Sequence, residues 1–560
     1  MSKYIIYLTV LFSTVVTAQK NYTTLTETAE TIVSKAKEDN HYREALTLYE
    51  QAFKQYPDSI NASDLYDISV LYSRFKENEK AFNYLQTLSN SPKGEYGFPA
   101  WRPFLDKDVE EDFENLLLDS RWKKLIDDAL IKQKLFSKVL QEREAEFYQV
   151  NTVALDNLKE EKAIYDKIRS SNPYITKNQR DYSISFPIND STKTSFFIHL
   201  PVNYTPTKKY SLLFFLHGAV RYNRLLDYQT AEINLGMSNK YYTKYADLND
   251  VILVFPRGDK QYNWMTSDDG FFMVPQILRN IKKVINIDDN KVFITGHSNG
   301  ATGSFSYLMK QPTDFAGFYG FNTEPIVNTG GTFVENIKNR SFINFSTDQD
   351  YYYPPNANDD FTAMMKNLNA DYKEYRYNGF PHWFPSFKES EPAHQILFED
   401  LKKHERNPFP KKITWEFDDN NYGNIDWIGN ATLDTLKLKA KWHKELNFKI
   451  TKWLEYDDND ELKTIDVDKY AFDFPRQSGK IKATYNNNVF TVETSRIKSF
   501  VINISPEMVN LKEKVKVYVN NKLYFNEYVT YNREFMLKSF QKNEDREQVW
   551  VNYINITIQD

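Results

Sequence analysis

Gly296-His297-Ser298-Asn299-Gly300 sets a hydroxyl between two glycines, directly after the apolar run Lys291-Val292-Phe293-Ile294-Thr295. The segment from Ala301 to Met309 that follows has the composition of a helix start. Taken alone, Gly-x-Ser-x-Gly also fits a glycine-bounded loop. Between a strand and a helix it predicts a sharp turn that lifts the serine hydroxyl clear of its surroundings, with the helix N-terminus supplying N–H groups where negative charge develops. The chemistry such a turn permits is nucleophilic attack. A serine hydroxyl becomes a nucleophile only when a histidine takes its proton and a carboxylate orients that histidine.

The partners must come from elsewhere in the chain, in the order Ser, acid, His. Of the eight histidines, His382, His394, His404 and His443 lie far enough along to follow an acid placed after Ser298. His394 and His404 fall in the amphipathic stretch after Pro392, where a surface or core role is expected, and His443 falls in a strand-rich region. His382 lies in Asn378-Gly379-Phe380-Pro381-His382-Trp383-Phe384-Pro385, a loop bounded by glycine and proline after the strand-like Tyr372 to Tyr377. The acid should follow the apolar run Phe342 to Phe345, where Ser346-Thr347-Asp348-Gln349-Asp350 offers two aspartates. Asp348 suits a turn that bonds its own backbone. For the oxyanion, two backbone donors are expected: the N–H of Asn299, next to the nucleophile, and the N–H of Ala219 in Leu216-His217-Gly218-Ala219. His217 precedes Ser298 and is read as structural.

The elements that must hold these groups are visible in the hydrophobic pattern. Tyr182 to Phe186 and Ser195 to Leu200 read as edge strands; Leu212 to Leu216, Val251 to Phe255, Val292 to Ile294 and Phe342 to Phe345 read as buried strands separated by helices such as Phe271 to Ile285. That alternation predicts a mostly parallel sheet covered on both faces, over residues 181–406. Before it, residues 19–150 are helical in pattern. Ala45 and Ala81, and Pro57 and Pro92, recur at nearly the roughly 34-residue tetratricopeptide interval. A long polar linker helix is expected from about residue 130 onward, with 151–180 as the linker proper. After Pro408 and Pro410, residues 411–560 read as short strands and turns, with a hairpin at Asn520-Asn521, and predict a β-sandwich-like module. The acidic run Asp457 to Glu461 lacks the spacing of a calcium loop and is expected to be a solvated turn.

The central region resembles the polyhydroxybutyrate depolymerase and feruloyl esterase group of α/β-hydrolases. The resemblance rests on Phe215-Leu216-His217-Gly218, Phe255-Pro256-Arg257-Gly258 with Trp264, Thr295 to Ala301, Asp350 to Pro354, and Pro381 to Pro385. It implies an α/β-hydrolase fold and carboxylic-ester hydrolysis through Ser298, His382 and an aspartate, without metal or organic cofactor. The Asp-x-x-x-Pro pattern common in esterases favours Asp350 over Asp348. The chain departs from the group's pattern in two places: Ala219 stands where a second glycine is usual, and the disulfides found in some members have no counterpart. The motifs leave the acyl and alcohol parts of the substrate open, with an acyl ester on a polysaccharide or a polyester as candidates. Tyr222, Trp264 and Trp383 are the aromatic residues expected to line the substrate site, and Phe271, Phe272 and Phe384 lie near the same motifs.

The chain has 560 residues, no cysteine and a net charge of −5. The absence of cysteine excludes thiol catalysis, zinc–thiolate sites and iron–sulfur clusters. No basic patch points to nucleic acid. Residues 1–18 have the pattern of a secretory signal, with Lys3, an apolar stretch too short to span a bilayer, and Val16-Thr17-Ala18 before Gln19. A secreted or periplasmic location is therefore expected, with no lipid-bearing cysteine at the cleavage site. The richness in Lys, Asn, Ile, Tyr and Phe is that of an AT-rich bacterial genome. Two rival functions are retained: a serine peptidase of prolyl-oligopeptidase type, whose β-propeller the helical N-terminal region does not provide, and a non-catalytic scaffold. The helical region is either a cap on the enzyme or a site for a protein partner.

Overall fold

The computed structural model describes residues 21–559, apart from 92–93, 95–98, 107–108, 156, 221–238, 266–267 and 460. Residues 1–18 and Tyr222 lie outside the described residues. The chain divides into two compact units that meet in sequence at Glu142 and Arg143.

The first unit is helical. Helices α1 (21–35) and α2 (Asp39–Gln55) are joined by a turn at 36–38, and α3 (Ala62–Arg74) and α4 (Asn78–Ser89) by a turn at 75–77. Ala45 on α2 and Ala81 on α4 are fully buried, as close helix approach requires. Asn61 caps α3 by accepting from the Asp64 N–H at 3.0 Å. Trp122, Leu125 and Ala129 of α5 (Ser120–Phe147) belong to the same apolar cluster.

The expected single linker helix is two helices instead. Helix α5 stops at Phe147, an irregular stretch follows, and α6 spans Glu161–Ser170. The end of α5 is held by Lys177, whose ammonium donates to the carbonyls of Phe147 at 2.6 Å and Gln149 at 3.0 Å. These orphan C-terminal acceptors are satisfied from outside the helix, so the helix need not continue.

The second unit contains an eight-stranded sheet: β1 (Asp181–Pro187), β2 (Lys193–His199), β3 (Tyr210–Leu216), β4 (Val251–Pro256), β5 (Ile287–Gly296), β6 (Gly317–Phe321), β7 (Ser341–Gln349) and β8 (Tyr372–Pro381). Their spatial order is β1-β2-β4-β3-β5-β6-β7-β8. Only β2 runs against its neighbours; β4, β3, β5, β6, β7 and β8 are mutually parallel. The central strands β3 and β4 are apolar because both faces are covered: β4 is buried at every residue and β3 at all but Ser211. The covering helices include α7 (Asn239–Asn249), α8 (Met273–Val284), α9 (Asn299–Lys310), α10 (Pro355–Asn367) and α11 (Glu391–Lys403). Strand β6 was not evident in the sequence, since Gly317 and Gly320 break its pattern. Those glycines sit where a Cβ would meet the Ser341 hydroxyl at 2.7 Å and the Thr323 hydroxyl at 2.1 Å.

The C-terminal strands belong to the same compact unit as this sheet. They comprise β9 (Lys412–Phe417), β10 (Ile428–Leu433), β11 (Lys449–Tyr456), β12 (Leu462–Tyr470), β13 (Gly479–Asn486), β14 (Val489–Ser495), β15 (Ile497–Ile504), β16 (Val515–Val519), β17 (Lys522–Glu527) and β18 (Asn552–Thr557). They form a five-stranded sheet β17-β16-β14-β13-β9, a three-stranded sheet β10-β15-β18 and the hairpin β11-β12. The two larger sheets contribute to one apolar cluster, in which Trp427 packs on Phe490 with ring centroids 5.3 Å apart. The β16–β17 turn is at Asn520-Asn521, both at positive φ, and Asn487-Asn488 turn β13 into β14 in the same way. In the loop between β11 and β12, Asp457 accepts from the N–H groups of Asn459 and Glu461, which makes it a turn residue as expected.

Candidate active site

Strand β5 delivers the chain into the turn at Ser298. The serine adopts φ 56° and ψ −123°, a conformation strained for an L-residue, and α9 begins at the next residue. Space dictates the glycines. A Cβ on Gly296 would lie 2.3 Å from the Gly300 carbonyl carbon, and one on Gly300 would lie 1.8 Å from the Leu216 carbonyl oxygen. The turn is pinned to the end of β6, where the Ser298 N–H donates to the Phe321 carbonyl at 3.1 Å.

The other groups sit at the carboxyl ends of neighbouring parallel strands, the edge at which open α/β sheets assemble their sites. The Gly218-Ala219 turn follows β3, Asp350 follows β7, and His382 follows β8. His382 Nδ1–H donates to Asp350 Oδ1 at 2.9 Å, both side chains being buried. Asp350 also accepts from the Tyr352 N–H at 2.9 Å on Oδ1 and from Asn322 Nδ2 at 2.9 Å on Oδ2. His382 Nε2 is buried with no hydrogen-bond partner. Asp348 is engaged elsewhere. Its carboxylate accepts from the Gly379 N–H at 2.7 Å, tying the β7 end to the end of β8 just before His382.

Asn322 had no signal in the sequence. It follows the unrecognised strand β6, stands at φ 55°, and bridges Thr347 Oγ1 at 2.7 Å to Asp350. His297 likewise has a part beyond its place in the motif. Its Nε2–H donates to the His382 carbonyl at 2.8 Å, which clamps the His382 loop onto the Ser298 turn. Burial pulls the His297 ring down to about 4, and the neighbouring His382 adds to the shift, so the ring is neutral at pH 7.

On the opposite side of the serine, Gly218 comes close: a Cβ there would lie 3.2 Å from Ser298 Cβ. Ala219 carries the left-handed backbone, at φ 54°, where a glycine would be unstrained. His217 is structural, as expected. It accepts from the Gly258 N–H at 3.1 Å and donates from Nδ1 to the Gly218 carbonyl at 2.8 Å, and burial lowers its ring to about 4.

The three aromatic candidates separate. Trp383 is 52% exposed, with its ring edge-on to His382 at 5.1 Å and to His297 at 6.1 Å. Trp264 is fully buried in the core, against the His217 ring and over Gly303, where a Cβ would meet its Cδ1 at 2.2 Å. It packs the loop that carries Gly218 and presents no open face. Tyr222 lies outside the described residues. Phe271 stacks on Tyr307, Phe272 on Tyr422, and Phe384 on Tyr377, so these rings are packing.

Residues 190–321 match the family model described as "Putative esterase". That stretch contains His217 to Ala219 and Ser298, while Asp350 and His382 lie beyond it. No curated protein matches the chain. Among solved structures, a thermostable esterase is 22% identical with a TM-score of 0.34; the likeness covers 40% of this chain and 64% of that one. Thermogutta terrifontis esterase 2 is 13% identical with a TM-score of 0.32, over 40% of this chain and 94% of that one. A ferulic acid esterase is 17% identical with a TM-score of 0.30, over 40% of this chain and 97% of that one. The stretch similar to that family is thus the one that forms the serine turn and the Gly218 turn.

Proposed function

We propose that the protein is a serine carboxylic-ester hydrolase in which Ser298 is the nucleophile, His382 the general base and acid, and Asp350 the orienting carboxylate. The observation that carries this reading is the Asp350–His382 pair, 2.9 Å apart and buried, at the same sheet edge as the strained Ser298 turn. Ser298 Oγ adds to the ester carbonyl while His382 Nε2 takes its proton. Asp350 holds the resulting imidazolium in place through Nδ1–H. As the tetrahedral centre collapses, the carbon–oxygen bond to the alcohol breaks and His382 Nε2 returns the proton to the departing oxygen. Water, activated by the same histidine, then releases the acyl group from Ser298. The N–H groups of Asn299 and Ala219 receive the oxyanion; each such donor stabilises the transition state by about 3–4 kcal/mol. No metal or organic cofactor enters these steps.

Asp350 is the acid of this triad rather than Asp348, because Asp350 bonds His382 and Asp348 is occupied by Gly379. A panel of aryl and alkyl esters beside peptide p-nitroanilides tests the reaction class. Turnover confined to the esters is expected; turnover of the anilides alone would replace this reading with a peptidase.

The two helix pairs of the first unit support reading it as a short tetratricopeptide-like array, and the two C-terminal sheets around one apolar cluster support a β-sandwich-like module. On the pattern of residues 1–18 the protein is exported, and N-terminal sequencing of the protein recovered outside the cytoplasm, starting at Gln19, is the expected result. Among the described residues no helix is long and apolar enough to cross a membrane. The helical array is a candidate site for a protein partner; retention of ester turnover with loss of that partner after its removal would support it.

A further inference from the structure

A row of aromatic rings continues outward from His382. Trp383 lies 5.1 Å from the His382 ring on one side and Tyr352 lies 4.4 Å from it on the other. Tyr351 follows at 4.3 Å from Tyr352, and Tyr456 at 5.3 Å from Tyr351. Trp383, Tyr352 and Tyr456 are each about half exposed. Large rings left in a contiguous exposed row, beside a reactive histidine, mark a surface kept open for a ligand.

Tyr456 does not belong to the hydrolase sheet. It ends β11, and the β11–β12 hairpin is docked on the loop that carries Asp350. Ile450 is buried with Tyr353 and Ala357, the Trp453 ring meets Tyr353 edge-on at 6.2 Å, and Asn356 Nδ2 donates to the Lys452 carbonyl at 3.0 Å. The C-terminal region therefore places an exposed ring on the rim of a site whose chemistry lies at the edge of the eight-stranded sheet.

The direction of the reaction says which part of a substrate meets this row. His382 Nε2 gives its proton to the departing alcohol, so the alcohol leaves on the His382 side. The acyl oxygen points the other way, toward Ala219 and Asn299. The rings cluster around His382 and lead away from it, so they accompany the alcohol. The hairpin's charges disfavour a polyanion: between Lys449 and Tyr470 it carries seven acidic residues against four lysines, of which Lys449, Lys452 and Lys463 are paired with Asp468, Asp466 and Asp457 and Lys469 lies over the Trp453 ring. An anionic polymer has no unpaired cation among these three lysines to engage. Phenol hydroxyls beside aromatic faces suit a ligand with both apolar ring faces and hydroxyls, and four rings in a row exceed the length of one sugar.

We propose that the β11–β12 hairpin completes the active site and that Trp383, Tyr352, Tyr351 and Tyr456 bind the alcohol portion of the substrate, a neutral oligosaccharide whose pyranose rings stack on them. This rests on the hydrolase reading above. The test uses unesterified neutral xylo- and gluco-oligosaccharides, from monosaccharide to hexasaccharide, as inhibitors of aryl acetate hydrolysis by the full chain. The inhibition constant is expected to improve about 10-fold or more with length, and Tyr456→Ala to abolish that gain while Tyr456→Phe keeps it. Three outcomes overturn the proposal: a constant that does not change with length, the same gain in Tyr456→Ala, or a gain seen only with simple aryl alcohols. Where Tyr456→Ala also slows aryl acetate hydrolysis, calorimetric binding of the same oligosaccharides carries the comparison: weaker hexasaccharide binding than by the full chain is expected, and equal binding overturns the proposal. Should the full chain hydrolyse no aryl acetate, the hydrolase reading fails separately. Calorimetric binding of the same oligosaccharides to the full chain and to Tyr456→Ala then decides the ring row alone.

Discussion

Asp348 and Asp350 are two residues apart and chemically alike, yet only one reaches His382. Replacing each in turn separates the roles. Asp350→Asn should lower kcat by about 10^3–10^4, because the amide no longer fixes the His382 tautomer. Asp348→Asn should cost far less, since it removes only a contact to Gly379. Equal losses would show that the acid has been misassigned. Asn322 acts through Asp350, so Asn322→Ala should lower kcat about 10-fold with KM nearly unchanged, read from a full saturation curve. Ala219 carries a left-handed backbone, at a cost of about 1–2 kcal/mol for an L-residue. Ala219→Gly should therefore raise the melting temperature; a fall would show that the methyl group has a packing role. At this scale chain order and motif agree for Ser298, His382 and Asp350, and the fold brings the three to one sheet edge, with His382 bonded to Asp350. The sequence was silent on Asn322, because a bridging asparagine has no periodicity and its contacts join the ends of two strands, β6 and β7. It misled at Trp264, where nearness to a motif along the chain turned out to mean packing beneath it.

The elements impose their own tests. Gly300→Ala would drive a methyl group into the Leu216 carbonyl, which is backbone and cannot rotate aside. Loss of the folded serine turn is expected, seen as a destabilisation of at least about 1–3 kcal/mol together with loss of turnover. The buried histidines around the eight-stranded sheet give the fold a pH dependence. His217, His297 and His394 are all lowered to about 4 by burial, against about 6.5 when unfolded. Between those values the unfolded chain binds more protons, so their contribution is present above about pH 6.5 and is lost as pH falls toward 4. His404 works in the other direction. Hydrogen bonds to Asp371 and Asp400 raise it to about 10, so its contribution is present below about pH 6.5 and is lost as pH rises through 10. Melting temperatures should decline on both sides of pH 6.5, and His404→Gln should flatten the alkaline side; an unchanged alkaline limb would contradict that assignment. The buried parallel strands were readable because continuous apolar runs have few other uses. Strand β6 was not, since its glycines answer to neighbours across the sheet. The break after Phe147 was not either, since the group that ends the helix is Lys177, thirty residues on.

In the whole second unit, buried ion pairs join the segments around the eight-stranded sheet to the C-terminal region. Arg406 and Lys282 meet Asp545 at 2.8 Å and 3.2 Å, and Arg340 meets Asp426 at 2.5 Å. Removing one partner leaves a buried charge unpaired, so Asp545→Ala should cost about 3–5 kcal/mol, measured by denaturant unfolding. A loss below about 1 kcal/mol would mean that the two parts fold independently. The change of architecture read near Pro408 and Pro410 falls between the end of α11 and the start of β9, but nothing in the sequence reveals the contacts, 86 to 263 residues apart, that bind the parts into one unit. The C-terminal strands also hold a second serine–histidine–carboxylate arrangement. Ser495 Oγ lies 2.9 Å from His443 Nδ1, and His443 Nε2 lies 2.7 Å from Glu416. All three are nearly fully buried, at 3–4% exposure, and Ser495 accepts from the Ala440 N–H. The chain thus contains its own control for reactivity. Labelling the intact protein with a fluorophosphonate and mapping the adduct by mass spectrometry tests the central claim most directly. A single adduct on Ser298, absent in His382→Ala and accompanied by loss of ester hydrolysis, is the predicted result; an unlabelled Ser298, or an adduct on Ser495 or any other serine, would contradict it.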